Sequence, residues 1–290
     1  MPDSVSVRVP ATSANLGAGF DCLGIALDLW STITVHLGRD NDADPMARMA
    51  YTAARRVYDK AGIAMPRQMG ARYEGDIPIA RGLGASAVAR VGGLVAANVL
   101  AGRPLNDELL LELGTDLEGH ADNVAPALFG GFQVSVVQDG RVQHTPAAVP
   151  DALRAVLFVP ELRMPTKESR KLLPSHLTRG DVVHNSSRTA LLVAALAAGR
   201  FDLLDTAVDD RLHQPPRSKL FPAMYAIFEA AKAAGAHCAY LSGGGSTLCA
   251  LATDREQAIA DAMLEAARAR EVAGYTIATK PTQKGAELIQ

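Results

Sequence analysis

Between Ile77 and Gly93 the chain reads IPIARGLGASAVARVGG, a glycine turn that runs straight into an apolar helix. From Ala85 to Leu100, Val88, Val91, Val95 and Val99 recur at helical spacing, and alanines with Gly92 and Gly93 fill the other faces. A helix apolar on most of its faces is buried and closely packed. Gly82 and Gly84 let backbone N–H groups approach an anion, and the helix start behind them adds unpaired donors and a favourable dipole. Ser86 offers a hydroxyl to a phosphate-bound metal.

The turn satisfies the letters G-x-G-x-x-[GA] of a dinucleotide fingerprint, but its context does not. That fingerprint follows a buried parallel strand and precedes an acid about 20 residues on. Here the preceding segment carries Pro78 and Arg81, and the corresponding downstream stretch, PLNDELL, starts a helix. No lysine follows the glycines, which excludes the P-loop of G-x-x-x-x-G-K-[ST]. For this stretch alone, a phosphate cradle of another kind competes with a plain loop-to-helix entry.

Composition narrows the classes. With 290 residues, 48% of them hydrophobic, the chain has enough apolar side chains for a real core. A net charge of −2 without a long run of one sign argues against nucleic acid or an anionic membrane as the main partner. Cys22, Cys238 and Cys249 lack C-x-x-C spacing, which suits a reducing compartment. The N-terminus is too polar for a signal peptide, and no apolar run reaches membrane-spanning length. A soluble, cytoplasmic protein is expected.

SVSVRVP alternates as a strand, and LGIALDLWSTITVHL continues in kind with Ile33, Val35 and Leu37 on one face. Positions 44–61 read as a helix, ARYEGDIPIAR as an edge strand containing Pro78, and PLNDELLLELGTDLEG as a helix capped by Asn106 or Asp107. GGFQVSVVQDGRVQ is a hairpin turning at Asp139-Gly140. The pattern restarts near TPAAVPDALR, which divides the chain into domains 1–150 and 151–290. In the second, strands AVLFVP, AHCAYL, STLCALA and YTIAT accompany helices at 166–173, 181–198, 201–208, 219–234 and 255–270. The mixture of hairpins and helices predicts an α+β fold.

Three further segments, PATSANLGAGFDCLG, EGHADNVAPALFGG and LSGGGSTLCAL, complete the pattern. With the glycine turn, and in this order from Val7 to about Ala252, they resemble the GHMP kinase superfamily of galactokinase, homoserine, mevalonate and phosphomevalonate kinases. HNSSR and DRLHQPPRSKLFP are similar to the homoserine kinase family within it. The resemblance implies a two-domain GHMP kinase fold, N-terminal ribosomal protein S5 domain 2-like and C-terminal ferredoxin-like. It also implies ATP and Mg²⁺, with L-homoserine as acceptor in threonine biosynthesis, and a homodimer. Alternatives are another small-molecule kinase of mevalonate or shikimate type, or a catalytically silent ligand-binding relative.

The same resemblance distributes roles. Pro78, Ile79, Ala80, Arg81, Gly82, Leu83, Gly84, Ala85, Ser86 and Ala87 would wrap the nucleotide, and Ser86 and Glu118 would hold Mg²⁺. Asn15, Asp21, His120, Asn123, Gly243 and Gly244 would line the acceptor pocket, with Arg188 and Arg217 gripping its carboxylate. Asn123, Asp21, Ser86 and Glu118 form the expected catalytic set. Asn123 stands where galactokinase- and mevalonate kinase-like members carry aspartate, so the acceptor hydroxyl has no obvious general base, with Asp21 or His120 as the fallback. Ala18, Ala85, Gly244 and Ser246 depart from the family's usual loop letters. Taken singly, Asp21 also reads as a turn residue, His120 and Asp122 as a surface pair, Glu118 as a solvent-facing helix residue, and Arg188 and Arg217 as solvated charges.

Overall fold

The computed structural model describes residues 2–38, 44–164 and 166–289. Two antiparallel sheets organise the chain, each with helices packed on it. In β1 (Ser4–Ala14), alternating Val5, Val7 and Val9 point into the core. In β2 (Leu23–Leu37), Ile33 and Val35 do the same, whereas Leu37 at the strand's end is 43% exposed. β1 and β2 pair along their length, with the register shifting at Pro10/Ala11, where proline has no N–H for the ladder.

Helix α1 (Pro45–Ala61) starts on Asp44, whose carboxylate accepts from the Met46 and Ala47 amides, and stops at Gly62 with φ 66°. Strand β3 (Met69–Gly75) pairs with the outer half of β2. The expected strand across Pro78 thus ends at Gly75, ahead of the residue that cannot donate. Helix α2 (Ala85–Leu100) lies against α1 and the sheet. A Cβ on Gly93 would sit 2.2 Å from the Ala50 carbonyl oxygen, and one on Gly92 would sit 2.5 Å from Ile33 Cβ. The glycine pair is what lets α2 approach both neighbours. Gly93→Ala is therefore expected to destabilise the protein by about 1–3 kcal/mol or more, read as a lower denaturant midpoint at unchanged m-value.

Helix α3 (Asp107–Glu118) is capped by Asn106 and ended by Gly119 at φ 85°, and α4 (Val124–Phe129) follows. Strands β4 (Phe132–Gln138) and β5 (Arg141–Ala147) form the hairpin, with Asp139 and Gly140 both at positive φ as a two-residue turn requires.

The second sheet has the order β7-β8-β6-β9. Its members and the helices between them are β6 (Arg154–Pro160), α5 (Thr166–Lys171), α6 (Arg179–Ala197), α7 (Leu204–Ala207), α8 (Gln214–Arg217), α9 (Met224–Ala233), β7 (Cys238–Leu241), β8 (Leu248–Ala252), α10 (Glu256–Arg268) and β9 (Gly274–Thr279). Thr178 and Asp181 form a capping box at the start of α6. The helix expected at 219–234 begins only at Met224, after Pro222, because an interior proline removes a ring bond. Strand β10 (Glu287–Ile289) returns to pair with β1, so the chain's end belongs to the first sheet, where the Arg8 guanidinium meets Glu287 at 2.8 Å. No helix among the described residues is long and apolar enough to cross a membrane.

Candidate active site

Three glycine-bearing loops converge where the two sheets meet. After β1, Asn15, Leu16 and Gly17 all take left-handed backbone, with Leu16 fully buried as their anchor. The Asn15 side chain then bridges two loops. Its Oδ1 accepts from the Asp21 amide at 3.0 Å, and its Nδ2 donates to the Gly243 carbonyl at 2.9 Å. The glycine turn before α2 is pinned from both sides. Ser242 Oγ donates to the Gly82 carbonyl at 2.7 Å, and the Thr12 amide donates to the Leu83 carbonyl at 3.2 Å. Gly82 and Gly84 lie at φ 76° and 70°, and a Cβ on Gly84 would come 1.9 Å from Thr12 Oγ1. These glycines are thus required by loop docking as much as by any ligand, and a substitution at Gly84 disrupts local packing together with the cradle.

The loops enclose a cavity of about 270 Å³. Its lining includes Ile79, Ala80, Arg81, Gly82, Gly84, Ala85 and Ser86, together with Met46 and Met49 of α1. No side chain caps α2, and its first ring bond runs from the Val88 amide to the Gly84 carbonyl. The N–H groups of residues 85–87 therefore precede the intrahelical ladder, as helix physics requires. The Arg81 head turns away to the carbonyls of Pro160 at 2.8 Å and Glu161 at 2.9 Å. Pro78 does not line the cavity, and Leu83 and Ala87 are buried in the core behind it.

Glu118, the last residue of α3, also lines the cavity. Arg90, one turn beyond Ser86, meets its Oε2 at 2.6 Å. Its Oε1 is buried without a hydrogen-bond partner among the described residues. An orphaned carboxylate oxygen and a serine hydroxyl lining one cavity are hard-oxygen donors of the kind that suits Mg²⁺. Asp21, His120 and Asp122 form a second acidic group, with ligand atoms within 4.8 Å of one another. Those atoms already hold protein partners, since Asp21 binds Arg170 and His120 binds Asp122.

Asn15, His120, Asn123, Arg217, Gly243 and Gly244 also line the cavity. Thr12 Oγ1 donates to Asn123 Oδ1 at 2.7 Å, and Asn123 Nδ2 donates to Asp122 at 3.2 Å, fixing the amide's orientation. One lone pair and one N–H of Asn123 remain available. Burial pulls the His120 pKa down, but the hydrogen bond and charge of Asp122 outweigh it and raise the value above the ordinary one.

Two arginines join this lining. Arg217 is 1% exposed, and its Nη1 donates to the Gly243 carbonyl at 3.1 Å and to His213 Nδ1 at 2.9 Å. Its Nε is buried with no partner among the described residues. Burial, and then repulsion from Arg170, pushes its pKa down to about 10. Arg170, from α5, also lines the cavity, and its fork grips both Asp21 carboxylate oxygens, one at 2.9 Å. The Phe20 ring lies 5.2 Å from one guanidinium and 5.6 Å from the other, within cation–π reach of both.

Two expectations change here. Arg188 is not in this cavity: its Nε faces Asp209 at 3.5 Å, and it lines a separate polar cleft with Asp205 and Lys232. Asp21 stands behind the lining, with its carboxylate engaged by Arg170. The sequence reading missed Arg170 altogether, and Asp122, for which it offered a surface pair with His120 as one reading, is buried and bonded to both His120 and Asn123.

Comparison with known proteins identifies the family. The GHMP kinases N terminal domain model matches residues 48–131 and the GHMP kinases C terminal model matches 192–269. The homoserine kinase of Moorella thermoacetica is 39% identical over 294 residues, covering 98% of this chain and 99% of its own. That of Clostridium beijerinckii is 37% identical over 269 residues, covering 90% of each. The crystal structure of homoserine kinase from Cytophaga hutchinsonii superposes with a TM-score of 0.89 at 28% identity, covering 100% of this chain and 98% of that one. The chain belongs to the GHMP kinase superfamily, in its homoserine kinase family.

Proposed function

We propose that this chain transfers the γ-phosphoryl group of ATP to the side-chain hydroxyl of L-homoserine, with Mg²⁺, giving O-phospho-L-homoserine for threonine biosynthesis. The observation that carries the acceptor is the pair Arg170 and Arg217, both in the cavity lining and both within reach of the Phe20 ring. The two cations repel each other, and the buried Arg217 has an Nε–H without a partner among the described residues. A carboxylate placed between them relieves both penalties and matches the planar fork of a guanidinium. The nucleotide phosphates would rest on the turn from Gly82 to Ser86 and the free amides of α2.

Ser86 and Glu118 Oε1 would hold the Mg²⁺, which neutralises charge on the β- and γ-phosphates. Phosphoryl transfer passes through a loose transition state, so positioning and charge stabilisation dominate. The acceptor oxygen–phosphorus bond forms as the bond from the γ-phosphorus to the β–γ bridging oxygen breaks. Asn123, its amide locked by Thr12 and Asp122, would orient the hydroxyl. It cannot take a proton, the Asp21 carboxylate is held by Arg170, and Asp122 keeps His120 more protonated than a free imidazole, so the proton passes to the transferred phosphoryl group or to solvent. The three free cysteines suit the reducing cytoplasm, with burial pushing Cys249 up to about 12.

A coupled ADP-release assay over homoserine, homoserinol, mevalonate and shikimate tests the acceptor. Homoserine is expected to give the highest kcat/KM, whereas the absence of ADP release with every compound on the panel would leave a silent ligand binder. Arg188→Ala is expected to leave both Michaelis constants unchanged and to alter stability by less than about 1 kcal/mol, as for a partly exposed ion pair.

A further inference from the structure

His213 is fully buried between Arg217 and the loop that follows β1. Its backbone is fixed by Asp210, whose carboxylate accepts from the amides of Leu212 at 3.0 Å, His213 at 2.8 Å and Gln214 at 2.7 Å. With the main chain set, the two ring nitrogens meet opposite demands. Nδ1 lies 2.9 Å from Arg217 Nη1, and Nε2 lies 2.8 Å from the Gly17 carbonyl. A guanidinium only donates and a carbonyl only accepts. The pair of contacts therefore selects one tautomer, with Nδ1 bare and Nε2 carrying the proton. A neutral ring agrees with its surroundings, since burial first, and the Arg217 charge, pull its pKa down to about 4 against the opposing charge of Asp210.

We propose that His213 is the positioning residue of the carboxylate-holding Arg217: its bare Nδ1 fixes the guanidinium while its Nε2–H ties that arginine to Gly17. The loop carrying Phe20 and Asp21 and the second-sheet arginine are thereby held in one register. Nη1 of Arg217 is clamped between His213 Nδ1 and the Gly243 carbonyl, which leaves the unpartnered Nε edge for an anion. The inference rests on Arg217 reading the acceptor carboxylate.

The experiment compares kcat/KM for homoserine with that for homoserinol, which lacks the carboxylate. The ratio of the two cancels the fraction of folded enzyme, so a loss of stability does not imitate the effect. An asparagine amide oxygen reaches the place of Nδ1, and a glutamine amide nitrogen reaches that of Nε2. His213→Asn is expected to hold the wild-type ratio within about three-fold, while His213→Gln and His213→Leu cut it about ten-fold or more, with KM for ATP unchanged. A wild-type ratio in His213→Leu, alongside a collapsed ratio in Arg217→Ala, would overturn the role of His213 and leave that of Arg217 standing. A wild-type ratio in Arg217→Ala would remove the carboxylate reading and this proposal with it. Nitrogen-15 NMR of the unsubstituted protein at neutral pH supplies a test free of variants. It is expected to show a protonated Nε2 and a bare Nδ1, and a protonated Nδ1 would overturn the proposal.

Discussion

Arg170→Ala and Arg217→Ala are each expected to lower kcat/KM for homoserine by about ten- to hundred-fold or more, with the apparent affinity for ATP almost unmoved. A hydrogen bond to a charged group contributes about 1.5–3 kcal/mol, and more is lost when a buried charge is left unpaired. Each change also breaks contacts within the site. Removing Arg170 strands the Asp21 carboxylate, and removing Arg217 leaves His213 Nδ1 and one Gly243 contact without their donor. Homoserinol separates these effects from recognition. It is expected to be a poor substrate for the wild type and to lose little further activity in either variant. Equal penalties on homoserine and homoserinol would show that the arginines organise the site without reading the carboxylate.

The second large effect concerns the metal. Ser86→Ala and Glu118→Gln are each expected to depress kcat strongly and to raise the Mg²⁺ concentration needed for half-maximal rate. Because both side chains would serve one ion, the double variant should lose less than the product of the single losses. Glu118→Gln also releases Arg90 from its 2.6 Å contact. Arg90→Ala is the control for that: it removes the ion pair but keeps the carboxylate, so its Mg²⁺ dependence should remain near wild type. Full activity in Glu118→Gln would remove Glu118 from the metal site and turn attention to Asp122.

What could be read from the sequence was local. The valine spacing and Gly92-Gly93 announce a buried α2 because those residues themselves make its packing surface. Gly82 and Gly84 are legible because left-handed backbone restricts which residue fits. The Asp139-Gly140 turn and the Asn106 cap belong to the same class. Arg170 was not legible. It sits in a six-residue charged helix, and only its bidentate grip on Asp21, 149 positions away, brings it to the cavity. Arg188 drew attention through the local pattern HNSSR, but α6 turns it toward Asp209, outside the cavity. Burial of Asp122 likewise depends on the fold closing over the loop between α3 and α4, and the two-residue spacing to His120 carries no sign of it. The strand end at Gly75 and the late start of α9 were misplaced where a proline set the boundary more sharply than the hydrophobic pattern did.

The central claim is that this cavity joins the γ-phosphoryl group of ATP to the homoserine side-chain oxygen. Phosphorus-31 NMR of the purified protein with ATP, Mg²⁺ and homoserine tests it most directly, because the product's phosphorus reports its own attachment. The account predicts a new phosphomonoester resonance coupled to the γ-methylene protons of the amino acid, growing in step with ADP. Release of inorganic phosphate alone, or a hydroxylamine-labile acyl phosphate on the carboxylate, would contradict it.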